Sequence, residues 1–181
     1  FADHPAEYAA GPGEPGIAFA DLSAERPPDW LIAQLGDTGS EPVLVCAHWG
    51  PNMVAEPTPP VRRAAASLGG SGVALFAGHS AHVFQGVAGR VLFDLGDFID
   101  DYRVDPVLRN DLGLLWFVEL DRDEVVSLEA LPLKLDFCHT RVADGADAAW
   151  IARRFIGACS ALGTRVVPHG GRLVVDLERV V

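Results

Sequence analysis

The chain has 181 residues, of which 49% are hydrophobic and 22% charged, the proportions of a folded globular protein and not of a disordered tail. Its formal net charge is −11 and its 14 Lys and Arg residues are scattered, so a phosphate backbone would meet a repulsive surface and nucleic acid is not the expected partner. Neither a charged leader with an apolar core nor an apolar run of about 18 residues occurs, so no signal peptide and no membrane-spanning helix is expected within these residues.

In chain order, residues 1–15 are rich in Pro, Gly and Ala, and Gly16–Ala20 is a short apolar run expected to form a strand. Pro27-Pro28-Asp29-Trp30 has the form of a helix entrance, because proline is tolerated in the first turn, with Gly36 as the stop. Pro42–Ala47 is a continuous apolar run, the pattern of a strand covered on both faces, and it ends at His48-Trp49-Gly50. Thr58-Pro59-Pro60 opens a second helix over Val61–Leu68, closed by Gly69-Gly70. Val73–Ala77 is a further buried strand that ends at Gly78-His79. Strand, helix and strand within about 35 residues make a βαβ unit, so both strands run parallel and open their C-terminal ends on the edge where α/β sheets bind ligands.

Beyond that unit, Val91–Leu95 predicts a short strand, and Leu114–Leu120 with Val125–Lys134 an antiparallel pair around Asp121-Arg122-Asp123-Glu124. Ala146–Leu162 has helical spacing with an apolar face formed by Trp150, Ile151, Phe155, Ile156 and Cys159, and Gly163 as its stop. Val166-Val167 and Leu173–Leu177 predict a terminal hairpin through Pro168-His169-Gly170-Gly171. The expected fold is α/β, a mixed and largely buried sheet flanked by helices, continuous over residues 1–181 without linker or repeat.

Three of the six histidines, His48, His79 and His82, directly follow predicted strands in AHWGPNM and AGHSAHVFQ. Imidazole suits Zn, Fe, Mn and Ni, and a hydrolytic centre needs ligands on rigid elements with a position left for water. His48, His79 and His82 are therefore the candidate metal ligands, with His48 and His82 also as acid-base groups because imidazole titrates near neutrality. Each taken singly would read as a hydrogen-bonded loop residue; their grouping at strand ends favours chemistry. Asp94, Asp97, Asp100 and Asp101 form an acidic run that reads as solvated except at Asp97. Arg103 and Arg109 are expected to pair with neighbouring aspartates, Trp49 to fill core, and His139 and His169 to be structural. Cys46, Cys138 and Cys159 lack C-x-x-C spacing, which argues against a disulfide framework and leans towards a reducing, cytoplasmic setting.

VLVCAHWG, AGHSAHVFQGV and RVLFDLGDF resemble, in order and spacing, the strand-HWG, GH-x-x-H-v-x-Q and s-L-G-N-F blocks of bacterial capsule-synthesis proteins of the CapA and PgsA type, in the calcineurin-like metallophosphoesterase superfamily. The resemblance spans about residues 1–135 and implies the C-terminal part of one metallophosphoesterase αββα sandwich, with an N-terminal part expected upstream, since the chain opens at Phe1 and its only methionine is Met53. It implies a metal-dependent hydrolase linked to capsule or poly-γ-glutamate synthesis, one or two divalent metals (Mn, Fe or Zn) with remaining ligands from the upstream part, and an anionic small-molecule or polymer substrate. It also implies a membrane-associated or extracytoplasmic setting for such proteins. By the same resemblance Asn52, Gln85 and Asp97 line the substrate cleft. The chain departs from the pattern at Asn52, where the family often has Glu, at Ser80-Ala81 in place of a His-Pro pair, and at Asp97 in place of Asn. These departures support an alternative, a non-catalytic polymer-handling or assembly protein with a degenerate site.

Overall fold

The computed structural model describes residues 8–22, 26–36, 41–101, 103–122 and 124–177. Helix α1 (Asp29–Gly36) leads to strand β1 (Val43–His48), helix α2 (Pro59–Leu68) and strand β2 (Val73–His79), the expected βαβ unit. Helix α2 starts where Thr58, in extended conformation, hands over to Pro59 and Pro60, and it buries Val61, Ala64, Ala65 and Leu68. That spacing places its apolar stripe on one side. Two short strands follow, β3 (Val87–Ala88) and β4 (Val91–Leu92), and the first sheet has the order β1-β2-β4-β3. In it β1 and β2 run parallel with His48 opposite His79, β4 is parallel to β2, and β3 is antiparallel to β4.

A second sheet is antiparallel throughout. Strands β5 (Leu112–Asp121) and β6 (Glu124–Asp136) pair along the whole of β5. The far edge of β6 is shared by β7 (His139–Val142) at one end and, beyond helix α3 (Gly145–Ser160), by the hairpin of β8 (Arg165–His169) and β9 (Arg172–Asp176). The antiparallel strands therefore form their own layer instead of extending the parallel sheet.

Two apolar cores lie on opposite faces of the first sheet. Strand β2 sends Phe76 towards Leu35 of α1 and Val61, Ala65 and Leu68 of α2, and Val73 joins the same core because the register of β2 against β1 shifts by one residue between Val73 and Leu75. Leu75 of the same strand joins Leu92, Leu112, Leu128, Ile151 and Phe155 in the core shared with the second sheet and α3. Phe155 is fully buried there, its ring 6.3 Å from that of Phe84 and 5.4 Å from that of Trp116.

Three expectations need correction. Gly16–Ala20 makes only an isolated bridge between Ile17 and Ala9, not a strand. The strand expected over Val91–Leu95 stops at Leu92, because Phe93 and Leu95 turn their amides to the carbonyls of Gly86 and Gly78. Strand β1 is not covered on both faces: Val43, Val45 and Ala47 pack on the helical core, whereas Leu44 is 53% exposed and Cys46 and His48 are exposed with it. The core shared with the second sheet covers Leu75 of β2 but does not reach its register partner Leu44 on β1, which pairs with β2 alone among the described strands. No helix among the described residues is long and apolar enough to cross a membrane.

Candidate functional site

The parallel register of β1 and β2 puts His48 and His79 side by side at the strand ends. Their Nδ1 atoms are 3.2 Å apart, with one Nδ1–H donating to the other nitrogen, and their rings meet edge to face at 4.9 Å between centroids. Partial burial, followed by the neighbouring His48 charge, lowers the pKa of His79. His79 is therefore biased towards neutral imidazole, the form that ligates a metal. Both rings border an apolar cavity of about 620 Å³ along β1, walled by Tyr8, Phe19, Leu35 and Trp49.

Behind the pair, the indole N–H of Trp49 donates to the Phe93 carbonyl at 2.8 Å, in the core position expected for Trp49. This bond passes directly over Gly78, where a Cβ would stand 2.1 Å from the Phe93 oxygen and 2.3 Å from the indole nitrogen. Glycine before His79 is thus required by close backbone approach.

The chain then turns through Ser80 (φ 139°) and His82 (φ 61°), two non-glycine residues with positive φ. Such conformations persist only where surrounding structure holds them. Here the holder is Asp94, 2% exposed, whose carboxylate accepts the Ala81 amide at 2.8 Å and the Gly96 amide at 2.9 Å. Burial pushes the Asp94 carboxyl up to about 6, against those two amides and the charge of His82. Asp94 is thus buried and not part of a solvated run, contrary to the expectation from its acidic neighbours, and its Asp-x-Gly spacing to Gly96 is the local signal of an Asx turn. Ser80 is buried as well, its hydroxyl donating to the Gly50 carbonyl at 2.9 Å and lying 3.4 Å from the Asn52 side-chain oxygen.

His82 lies apart from the histidine pair. Its Nδ1 is 3.0 Å and 3.3 Å from the two Asp97 carboxylate oxygens. Burial and the adjacent Asp100 push Asp97 up to about 6, partly offset by His82. His82 borders a second cavity of about 630 Å³, together with Asn52, Met53, Arg103 and Asn110. Gln85 is 3% exposed and donates its amide to the Val54 carbonyl at 3.0 Å, so it reaches the cleft only by anchoring the loop that carries Asn52 and Met53. Arg109 is held by Asp111 at 2.7 Å and Asp147 at 3.0 Å, with Lys134 joining the same carboxylates, and is committed to structure as expected. His139 lies in β7 and His169 ends β8, both exposed.

The His48–His79 pair fits a metal in one respect. Two nitrogens each about 2.1 Å from one ion stand roughly 3.0 to 3.4 Å apart, depending on octahedral or tetrahedral geometry, which brackets the observed 3.2 Å. Two ligands are half of a centre. Among the described residues no group of three or more His, Cys, Asp or Glu side chains is placed to hold an ion.

Comparison with known proteins falls on this region. Residues 19–102 match the family described as bacterial capsule synthesis protein PGA_cap. This segment is similar to that family. All six candidate residues, His48, Asn52, His79, His82, Gln85 and Asp97, lie within the matched segment. The chain is also similar to probable polyglutamine synthesis accessory proteins of two strains of Mycobacterium tuberculosis, 27% identical across 94% of this chain and 48% of their length. It spans about half the length of these curated relatives.

Proposed function

We propose that this chain forms part of a metal-dependent hydrolase of the metallophosphoesterase type serving capsule or poly-γ-glutamate synthesis. The observation that carries the proposal is the 3.2 Å approach of His48 and His79 at the ends of two parallel strands, inside the matched segment. These two residues would hold a divalent Mn, Fe or Zn ion, with further ligands from the part of the longer protein outside this chain. Such an ion supplies Lewis acidity and lowers the pKa of bound water.

The remaining work falls to residues of the second cavity. His82, oriented through Nδ1 by Asp97, is positioned to take or give a proton, the task for which a carboxylate-held imidazole is suited. Asn52 and Arg103 face the same space, and the guanidinium can bind a substrate phosphate or carboxylate in bidentate fashion. An anionic small molecule or polymer is the substrate class that this lining supports.

The test uses the longer protein, loaded with Mn or Zn and measured for metal stoichiometry and phosphate-ester hydrolysis. His79→Ala is expected to lose bound metal and to lower turnover by about two orders of magnitude or more, since loss of even an outer-shell partner of a ligand costs roughly 10- to 100-fold. Full metal content and unchanged turnover in that variant would sink the proposal.

A second reading is a non-catalytic polymer-handling protein, and one observation favours it: Ser80, where the family carries a motif histidine, is turned inward to Gly50. Saturable polymer binding without ester hydrolysis by the metal-loaded protein is the result that selects this reading.

A further inference from the structure

A third cavity, of about 250 Å³, lies where the Ala55–Pro57 segment meets helix α3 and Gly86. Its lining holds three guanidinium groups, Arg62 from α2 and Arg153 and Arg154 from α3, with Glu56 as the acidic residue of the wall. In a chain of net charge −11 this is an unusual concentration of positive charge. None of the three arginines forms an ion pair among the described residues, Glu56 included.

Arg154 is the least solvated of them. Its guanidinium lies 5.4 Å from the Phe84 ring centroid and 5.3 Å from that of Trp150, stacked on faces that fix its place. Its Nη2 is buried with no hydrogen-bond partner among the described residues, and burial lowers its pKa. Arg154 is half-buried overall and lines the cavity, so an anion held there would compensate a guanidinium that has no counter-charge among the described residues. Arg62 is tied by its Nε to the Pro57 carbonyl at 3.1 Å, which holds it beside the opening, and Arg153 is exposed next to it. The space itself exists because small residues line α3 here: a Cβ built on Gly157 meets nothing within 4 Å.

We infer that this cavity is an oxyanion site, in which Arg154, Arg62 and Arg153 together receive the phosphate or carboxylate group of a small ligand. It shares no lining residue with the cavities at His48, His79 and His82, so it stands independently of the hydrolase proposal. Fork-shaped guanidinium donors match the paired oxygens of either group.

Calorimetric titration of the chain with inorganic phosphate and, separately, with glutarate tests the assignment. Saturable one-to-one binding of at least one anion is expected, and the anion that binds tells a phosphoryl ligand from a carboxylate one. Arg62→Gln/Arg153→Gln, two exposed positions, is expected to weaken that binding about tenfold or more. Gly157→Leu keeps every charge while filling the cavity, and is expected to abolish binding. Absence of saturable binding for both anions, or wild-type affinity in either variant, overturns the site; should the leucine variant fail to fold, the double glutamine variant decides alone.

Discussion

Asp94 shows how a single buried carboxylate can organise a site without touching a substrate. It accepts two amides that flank the turn carrying His82, and its carboxyl is raised from 3.8 to about 6 mainly by burial. A carboxyl raised in the folded state binds more protons there than in the unfolded chain, so its contribution to stability is greatest below the unfolded value and declines as pH rises through the folded one. Between about pH 4 and pH 6 this decline amounts to roughly 3 kcal/mol at most. Asp94→Asn removes its titration, and the change in urea midpoint across that range should shrink, leaving the part that belongs to Asp97. The same variant should lower stability by about 1 to 3 kcal/mol at pH 4, since one amide loses its acceptor. Gly78 makes a different kind of demand. Gly78→Ala drives a methyl into the Trp49–Phe93 bond, and a loss of about 3 kcal/mol or more in denaturant unfolding is expected, the upper range for overpacking. None of the chemistry at Asp94 was legible from composition, because Asp94, Asp97, Asp100 and Asp101 look alike until the loop folds and buries some of them.

Among the elements, the strands and helices follow closely from local pattern. Apolar runs bounded by Pro and Gly made β1, α2 and β2 readable to within two residues, and the parallel pairing of β1 with β2 follows from the short helical crossover between them. Helix α3 is legible for the same reason, since Ile151, Phe155 and Cys159 repeat every four residues and are its buried positions. Gly157 interrupts that helix with no steric need for glycine, as open space surrounds its missing Cβ. Gly157→Ala should therefore stabilise the chain by about 0.5 to 1 kcal/mol through the lower entropy of the unfolded state, read as a higher urea midpoint with unchanged slope. Where pattern misled, the cause lay outside the element. Leu44 and Cys46 continue the apolar run of β1 yet face outwards, because hydropathy does not record how far the core shared with the second sheet reaches across the first.

Across the whole molecule, two sheets are held together through one shared core, and Phe155 of α3 stands in it against Phe84 from the first layer and Trp116 from the second. Truncating it leaves a cavity at the seam of both sheets. Phe155→Ala should lower unfolding free energy by roughly 3 to 5 kcal/mol, and amide exchange should accelerate in β2 and β5 together if the layers open as a unit. The α/β class, the order of elements, the histidines at strand ends and the capsule-synthesis blocks were all written in the sequence, because each rests on residues within a few positions of one another. Tertiary structure alone decided that His48 and His79 touch while His82 turns to Asp97 and a separate cavity. It alone also decided that Arg62 and Arg154, far apart in the chain, line one space. The physical reason is that side-chain proximity across layers depends on strand register and on backbone turns with positive φ, neither of which is encoded by local hydrophobic period.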